Sequence, residues 1–140
     1  MYLLDTNVVS ELRRVGTSKA DPSVSKWAKE VDAKLLHLSV ITVLELELGV
    51  VQRERRDPSQ GAMLRDWLET QVVPAFEGRI FPVDLAIARC CARLHSPDPR
   101  PERDALIAAT SLIHGLTVVT RNIKDFRSIG VKLLNPWAEP

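Results

Sequence analysis

The residues best suited to chemistry are oxygen-bearing side chains from distant parts of the chain: Asp5, Glu45, Asp104, Asn122 and Asp125. Asp5 ends the run Tyr2-Leu3-Leu4, which reads as a short buried strand. A carboxylate at the end of such a strand costs desolvation energy unless it is paired or serves a site. Taken singly, each of these residues has an ordinary structural role. Asp5 and Asp104 suit helix starts, where the macrodipole favours an acid by a few tenths to about 1 kcal/mol, and Asp125 suits a solvated loop. Taken together, carboxylates repel one another unless a divalent cation holds them. An oxygen-only donor set selects Mg2+ or Mn2+ rather than zinc. In such a site Asp5, Glu45 and Asp104 are the catalytic acids, holding the cation directly or through water and lowering the pKa of a bound water. Asp5 and Asp104 are expected ligands, and a further one comes from Asn122, with Asp125 supporting it, or from Asp125 itself if residues 122–126 make a helical turn. Thr6 or Asn7 would orient Asp5 by hydrogen bonding, and Thr120 would touch water on the metal.

The elements that must bring these side chains together alternate between strand and helix. After the first strand, Asp5 or Thr6 caps a helix through Val8, Val9 and Leu12. Asp21-Pro22 starts another helix, with a capping oxygen ahead of a proline at the first helical position. That helix carries Val24, Trp27, Ala28 and Val31 on one face. Leu35-Leu36-His37-Leu38-Ser39 forms a second strand, and a helix from Ile41 runs through Leu44, Leu48 and Val51. Within it, Leu44-Glu45-Leu46-Glu47-Leu48 sets Glu45 and Glu47 about 200° apart, so at most one of them faces a given site. Asp57-Pro58 opens a helix with Met63, Leu64, Trp67, Leu68 and Val72 toward the core. Ile80-Phe81-Pro82-Val83 suits an edge strand because of its proline, and Asp84 caps the helix after it. The proline-rich stretch Ser96 to Pro101 breaks the chain. Glu102 to His114, almost wholly apolar beyond Asp104, is a central buried helix stopped by Gly115. Leu116 to Thr120 is a continuous β-branched strand, and Val131 to Leu134 is the last. The pattern predicts one α/β domain over 1–140 with a central parallel sheet flanked by helices. In open sheets of that kind, sites form beyond the carboxyl ends of the strands, where these oxygens fall.

A net charge of +1 argues against a strongly basic nucleic-acid-binding tail, although local patches remain open. Arg121 and Lys124 flank the expected site and are candidate contacts to substrate phosphates, whereas Arg53, Arg55 and Arg56 suit a solvated helix end. Cys90 and Cys91 are adjacent, which fits two small core residues in a reducing compartment. His37, His95 and His114 have no triad context. No signal-peptide pattern opens the chain, and no apolar run approaches the roughly 20 residues that span a bilayer. A cytoplasmic protein with no membrane contact is the expectation.

Four segments carry a family resemblance. Leu3-Leu4-Asp5-Thr6-Asn7-Val8 resembles the opening of a PIN domain, and Ser39-Val40-Ile41-Thr42-Val43-Leu44-Glu45-Leu46 resembles its second acidic motif. Asp104-Ala105-Leu106-Ile107-Ala108-Ala109-Thr110 resembles the third, and Val118-Val119-Thr120-Arg121-Asn122 the fourth. The order is that of the family, and the segments span nearly the whole chain. The chain is most similar to the VapC-type toxin ribonucleases, and Asn135-Pro136-Trp137 resembles the subgroup typified by FitB. The resemblance implies the PIN-like three-layer fold, cleavage of RNA with Mg2+ or Mn2+, a homodimer, and a cognate antitoxin that places a basic side chain near the acids. One departure is Asn122, where the family often has aspartate; an amide oxygen coordinates a hard cation without adding charge. Aspartyl-phosphate phosphatases want an acid where Asn7 stands, and receiver domains want paired acids after the first strand. The non-catalytic rival is a PIN-fold module whose acidic pocket only docks a basic partner peptide.

Overall fold

A computed structural model describes residues 1–138. Five parallel strands form one sheet in the order β3-β2-β1-β4-β5: β1 (Tyr2–Leu4), β2 (Leu36–Ser39), β3 (Ile80–Phe81), β4 (Thr117–Val119) and β5 (Leu133–Leu134). After β1 the chain builds outward through β2 to β3, then returns to lay β4 on the other flank of β1. The order therefore reverses at β1, which opens a crevice beyond the carboxyl ends of β1 and β4.

Side chains alternate across the strands, as the pleat requires. Leu4, Leu36, Leu38 and Val119 enter one core with Val8 and Val9 of α1 (Thr6–Leu12), Leu46 and Val50 of α3 (Val40–Arg56), and Leu68. Leu3 and Val118 enter the opposite core with Ile107 and Ala108 of α7 (Glu102–His114). Helices thus cover both faces of a parallel sheet, the three-layer arrangement that its continuous apolar strands demand. The remaining helices are α2 (Pro22–Glu30), α4 (Pro58–Trp67), a π-helical stretch Leu68–Val72 leading into α5 (Val73–Ala75), α6 (Leu85–Leu94) and α8 (Ile123–Phe126). Asp5, Asp21, Ser39, Asp57 and Asp84 cap the helices that follow them, each accepting from a backbone N–H. Gly115, at φ 68°, ends α7 in the left-handed region.

Several elements differ from expectation. The second strand begins at Leu36, because Asp32 accepts from the Lys34 N–H and winds Ala33–Leu35 into a 3-10 turn. The third strand is only Ile80–Phe81 and lies at the sheet edge, with Pro82 just past its end. Leu44, Leu48 and Val51 lie exposed on α3, whose inward face is Ile41, Thr42, Leu46 and Val50. Met63 is also exposed, and α7 buries Ala105 and residues 107–111 but not Leu112 or Ile113. His37, Phe81 and His114 stack, with centroid spacings of 5.3 and 4.0 Å, which accounts for two of the histidines structurally. Among the described residues, no helix is long and apolar enough to cross a membrane.

Two glycines test the packing of α3 on α4 with opposite signs. A Cβ on Gly61 would lie 2.4 Å from the Glu54 Cα, while one on Gly49 meets nothing within 4 Å. Gly61→Ala should lose roughly 1–3 kcal/mol, as overpacked sites do. Gly49→Ala should gain about 0.5–1 kcal/mol by stiffening the unfolded chain. Urea unfolding of both variants reads the difference, and equal effects would contradict this helix contact.

Candidate metal centre

Asp5 is positioned from both sides of the crevice. Its N–H donates to the Val119 carbonyl at 2.9 Å, which extends the β1–β4 ladder into the site. Its Oδ1 accepts from the Thr6 N–H at 2.8 Å, and its Oδ2 accepts from the Thr120 hydroxyl at 2.8 Å and the Asn7 amide at 3.3 Å. A carboxylate offers about four lone-pair sites, so these donors leave one, on Oδ1. The residue is 6% exposed. Burial raises its pKa and nearby Glu45 adds to the rise, while the three hydrogen bonds pull against it.

Glu45 is delivered by the start of α3. The Ser39 side chain accepts from the Ile41 N–H, and the Thr42 hydroxyl donates to the Leu4 carbonyl at 3.4 Å, tying the helix to the end of β1. Three residues on, Glu45 Oε1 accepts from the Thr6 hydroxyl at 2.6 Å. Glu47, on the other side of α3, meets Arg65 at 2.7 Å, and the guanidinium holds its pKa below the usual range. Glu45 is therefore the acid that faces the crevice.

Asp104 sits in the first turn of α7. Burial, then the charges of Asp5, Asp125 and Glu45, raise its pKa from 3.8 to about 6. The charges of three acids from other segments thus bear on Asp104, although among the described residues no three of these carboxylates bring oxygens within 4.8 Å of one another. Asp125 takes part from the first turn of α8, which the wholly buried Phe126 anchors. Asn122 precedes that turn; its N–H donates to Thr120 Oγ1 at 3.0 Å, and its side chain does not cap α8. Both Asn122 and Asp125 are exposed, at the mouth of the crevice.

The supporting residues divide their work differently from expectation. The Thr6 hydroxyl serves Glu45, and only its backbone N–H serves Asp5. The Thr120 hydroxyl gives its one proton to Asp5 and accepts from Asn122, so it has no donor left for water on a metal. Asn7 is the tie between halves: its amide donates to Asp5 and Thr120, and its oxygen accepts from the Arg121 N–H at 3.1 Å. The Arg121 guanidinium lies 5.3 Å from the Trp137 ring centroid, stacked beside the site. Lys124 is exposed. Oxygen-only donors, a buried carboxylate with one open lone pair and excess negative charge fit a hard divalent cation.

Residue types alone did not single out two neighbouring features. Arg103, next to Asp104, pairs with Glu45; its only sequence signal is a cation beside a first-turn acid. Cys91, His95 and Glu102 also meet, with His95 Nε2 3.4 Å from Glu102 Oε1. His95 Nδ1 faces the Arg100 N–H at 3.0 Å and so must accept. The neutral ring therefore carries its proton on Nε2, aimed at Glu102, with no lone pair there for a metal. Burial and Glu102 push the Cys91 thiol up to about 11. The trio is a hydrogen-bonded clasp between α6 and the start of α7.

Comparison with known proteins follows the same geometry. A family model described as "PIN domain" matches residues 2–132. The chain is 36% identical to Toxin FitB of Neisseria gonorrhoeae, over 98% of this chain and 99% of that protein. It is 34% identical to VapC ribonuclease Y4jK of Sinorhizobium fredii, over 98% of each. The crystal structure of FitAcB from Neisseria gonorrhoeae matches it with a TM-score of 0.89 at 35% identity, over 99% of this chain and all of that one.

The raised Asp104 pKa fixes a pH dependence. Because the folded value, about 6, lies above the ordinary 3.8, the folded state holds this proton more tightly. Its stabilising contribution is complete below roughly pH 4 and is lost as pH rises through about 6. Asp104→Asn should remove that part of the dependence. In the metal-free protein near neutral pH it should raise stability by about 1 kcal/mol, discounted for partial exposure, or roughly 3 °C in Tm. Melting curves in chelator at several pH values read this. A variant that melts lower than the wild type at neutral pH contradicts the clustered-acid geometry.

Proposed function

The chain belongs to the PIN-domain family, and on that premise we propose that it is a divalent-metal-dependent ribonuclease acting as the toxin of a toxin–antitoxin pair. The observation that carries the proposal is Asp5, held by Thr6, Asn7 and Thr120 with one lone pair open, beside Glu45 held by the same Thr6 at the strand-order reversal. The raised pKa of Asp104 near these acids supports it. Support also comes from relatives, matched end to end, whose names are ribonuclease and toxin.

Asp5, Glu45 and Asp104 would hold Mg2+ or Mn2+, directly or through water. When bound, the ion lowers the pKa of a coordinated water and neutralises charge that develops on the phosphate. The protein's own residues do the rest. Thr120, Asn7 and the Thr6 N–H fix the rotation of the Asp5 carboxylate and leave its open Oδ1 lone pair toward the crevice. The Thr6 hydroxyl fixes Glu45. Asp104, with a pKa of about 6, loses its proton to ligate, so metal affinity rises with pH through that value. Arg121 and Lys124 stand at the mouth of the crevice, where they meet RNA phosphates without spending a charge on the acids. No side-chain nucleophile is needed. The protein works in the cytoplasm as a homodimer, and its antitoxin silences it by setting a basic side chain among the acids.

Asn122 is the proposed fourth ligand, with Asp125 behind it. Asp125 bears more strongly on Asp104 than Glu45 does. Asp125→Asn should therefore bring the Asp104 pKa down, whichever of the two ligates; carboxyl titration by NMR reads it. If Asn122 ligates, Asn122→Asp should tighten manganese binding and Asn122→Ala should weaken it. If both leave binding unchanged while Asp125→Asn removes it, Asp125 is the ligand.

The deciding experiment measures cleavage of single-stranded RNA with Mg2+ or Mn2+ and in chelator. Asp5→Asn or Asp104→Asn should lower kcat by roughly 100-fold or more, the scale of losing transition-state charge stabilisation. Glu47→Gln should stay within about twofold, since Glu47 is held by Arg65 outside the crevice. Tight manganese binding with no cleavage would leave a docking module in place of a nuclease.

A further inference from the structure

α7 carries Arg103 immediately before Asp104. Consecutive helical positions point about 100° apart, so the turn that sends Asp104 into the crevice leaves Arg103 free to swing across its mouth. There Nη1 lies 3.7 Å from Glu45 Oε2. Among the described residues this is the one ion pair between a cation and any of Asp5, Glu45, Asp104 and Asp125. The Glu45 oxygens are thereby divided: Oε1 takes the buried Thr6 side of the crevice, and Oε2 faces Arg103. The two side chains are 49% and 26% exposed. Pairs that open contribute little to folding. α7 is seated by its buried residues 107–111 and by the clasp at Glu102, so the fold does not require Arg103. Its position is explained instead by the charge it meets.

We propose that Arg103 is a displaceable cation: it neutralises Glu45 while the divalent ion is absent and turns to an RNA phosphate when the ion takes Glu45. The second half rests on the ribonuclease reading; the first does not. A guanidinium is always charged, and its fork fits carboxylate and phosphate equally well. A divalent cation bound by Glu45 would repel the guanidinium, and the anionic oxygens of an RNA phosphate would then be its alternative partner. Arg103 thus differs from a cation that only meets RNA, such as Lys124, because it competes with the metal.

That competition gives removal of Arg103 two opposed effects, which neither a structural residue nor a plain phosphate contact would show. In Arg103→Gln, manganese titrated calorimetrically into RNA-free protein should bind roughly twofold to fivefold more tightly, the fold-change equivalent of one exposed ion pair. KM for single-stranded RNA at saturating manganese should rise roughly fivefold, with kcat within about twofold. The slope of log(1/KM) against log[salt] should shrink by about 0.7, the signature of one lost single-strand phosphate contact. Arg103→Lys should restore part of each. In a Glu45→Gln background, Arg103→Gln should no longer change manganese affinity. Manganese binding that is unchanged or weaker overturns the competition, and an unchanged KM and salt slope overturn the exchange to phosphate. If the wild type cleaves no RNA, the nuclease reading fails, while the manganese titration still decides whether Arg103 competes for Glu45.

Discussion

The carboxyl edge of the sheet is organised around one constraint: a carboxylate buried at the end of a central strand must be held by fixed partners. Asp5 has no room to turn, because donors from Thr6, Asn7 and Thr120 claim all but one of its lone pairs. Those donors come from the start of α1 and from the end of β4, so the same interactions that satisfy Asp5 also tie those two elements together at the crevice. Glu45 is placed through Thr6, and α8 with Asp125 is placed through Thr120 and Asn122. The hydrogen bonds fix the Asp5 and Glu45 carboxylates, and burial together with neighbouring acids makes Asp5 and Asp104 harder to ionise. That unfavourable charge, built by a well-satisfied polar scaffold, is what supports the proposal of a small hard cation in the pocket.

Much of this was legible in the residues. The Asx-Pro helix starts at Asp21 and Asp57, the β-branched strand at residues 117–119 and the glycine stop at Gly115 all carry local chemistry strong enough to place their elements. The acids were legible because each follows a strand or opens a helix at the same edge, and the 200° separation of Glu45 and Glu47 correctly allowed only one inward. What was not legible lies in three dimensions. Leu44, Leu48 and Val51 have helical spacing, yet α3 buries Ile41, Thr42, Leu46 and Val50 instead, and only Gly61 lets α4 approach its Glu54 backbone so closely. Thr120 looked available to water, and only its pairing with Asp5 shows its proton to be spent. The clasp of Cys91, His95 and Glu102 depends on a loop whose path no periodicity encodes.

The cations follow the same division between scaffold and crevice. Arg65 gathers Glu47, Glu54 and Glu69 and keeps the outer face of α3 and α4 quiet. Arg121 is held flat against Trp137 and anchored through its own backbone to Asn7, a fixed positive rim. Among the described residues Arg103 alone forms an ion pair with an acid of the pocket, from the element that also supplies Asp104. The near-neutral net charge of the chain therefore conceals a pocket of one sign with its counter-charges arranged around the lip.

The reach of the Asp5–Thr120 bond, 115 residues along the chain, has a consequence for the time during which the protein is made. Synthesis proceeds from the amino end, so Asp5 leaves the ribosome well before Thr120. Until β4 has emerged and docked beside β1, Asp5 lacks the Thr120 hydroxyl and β1 lacks one of its two neighbouring strands. A growing chain therefore carries Asp5, Glu45 and Asp104 before the donors that orient the first of them are complete, and the pocket takes its shape only when β4 fills its place in the sheet.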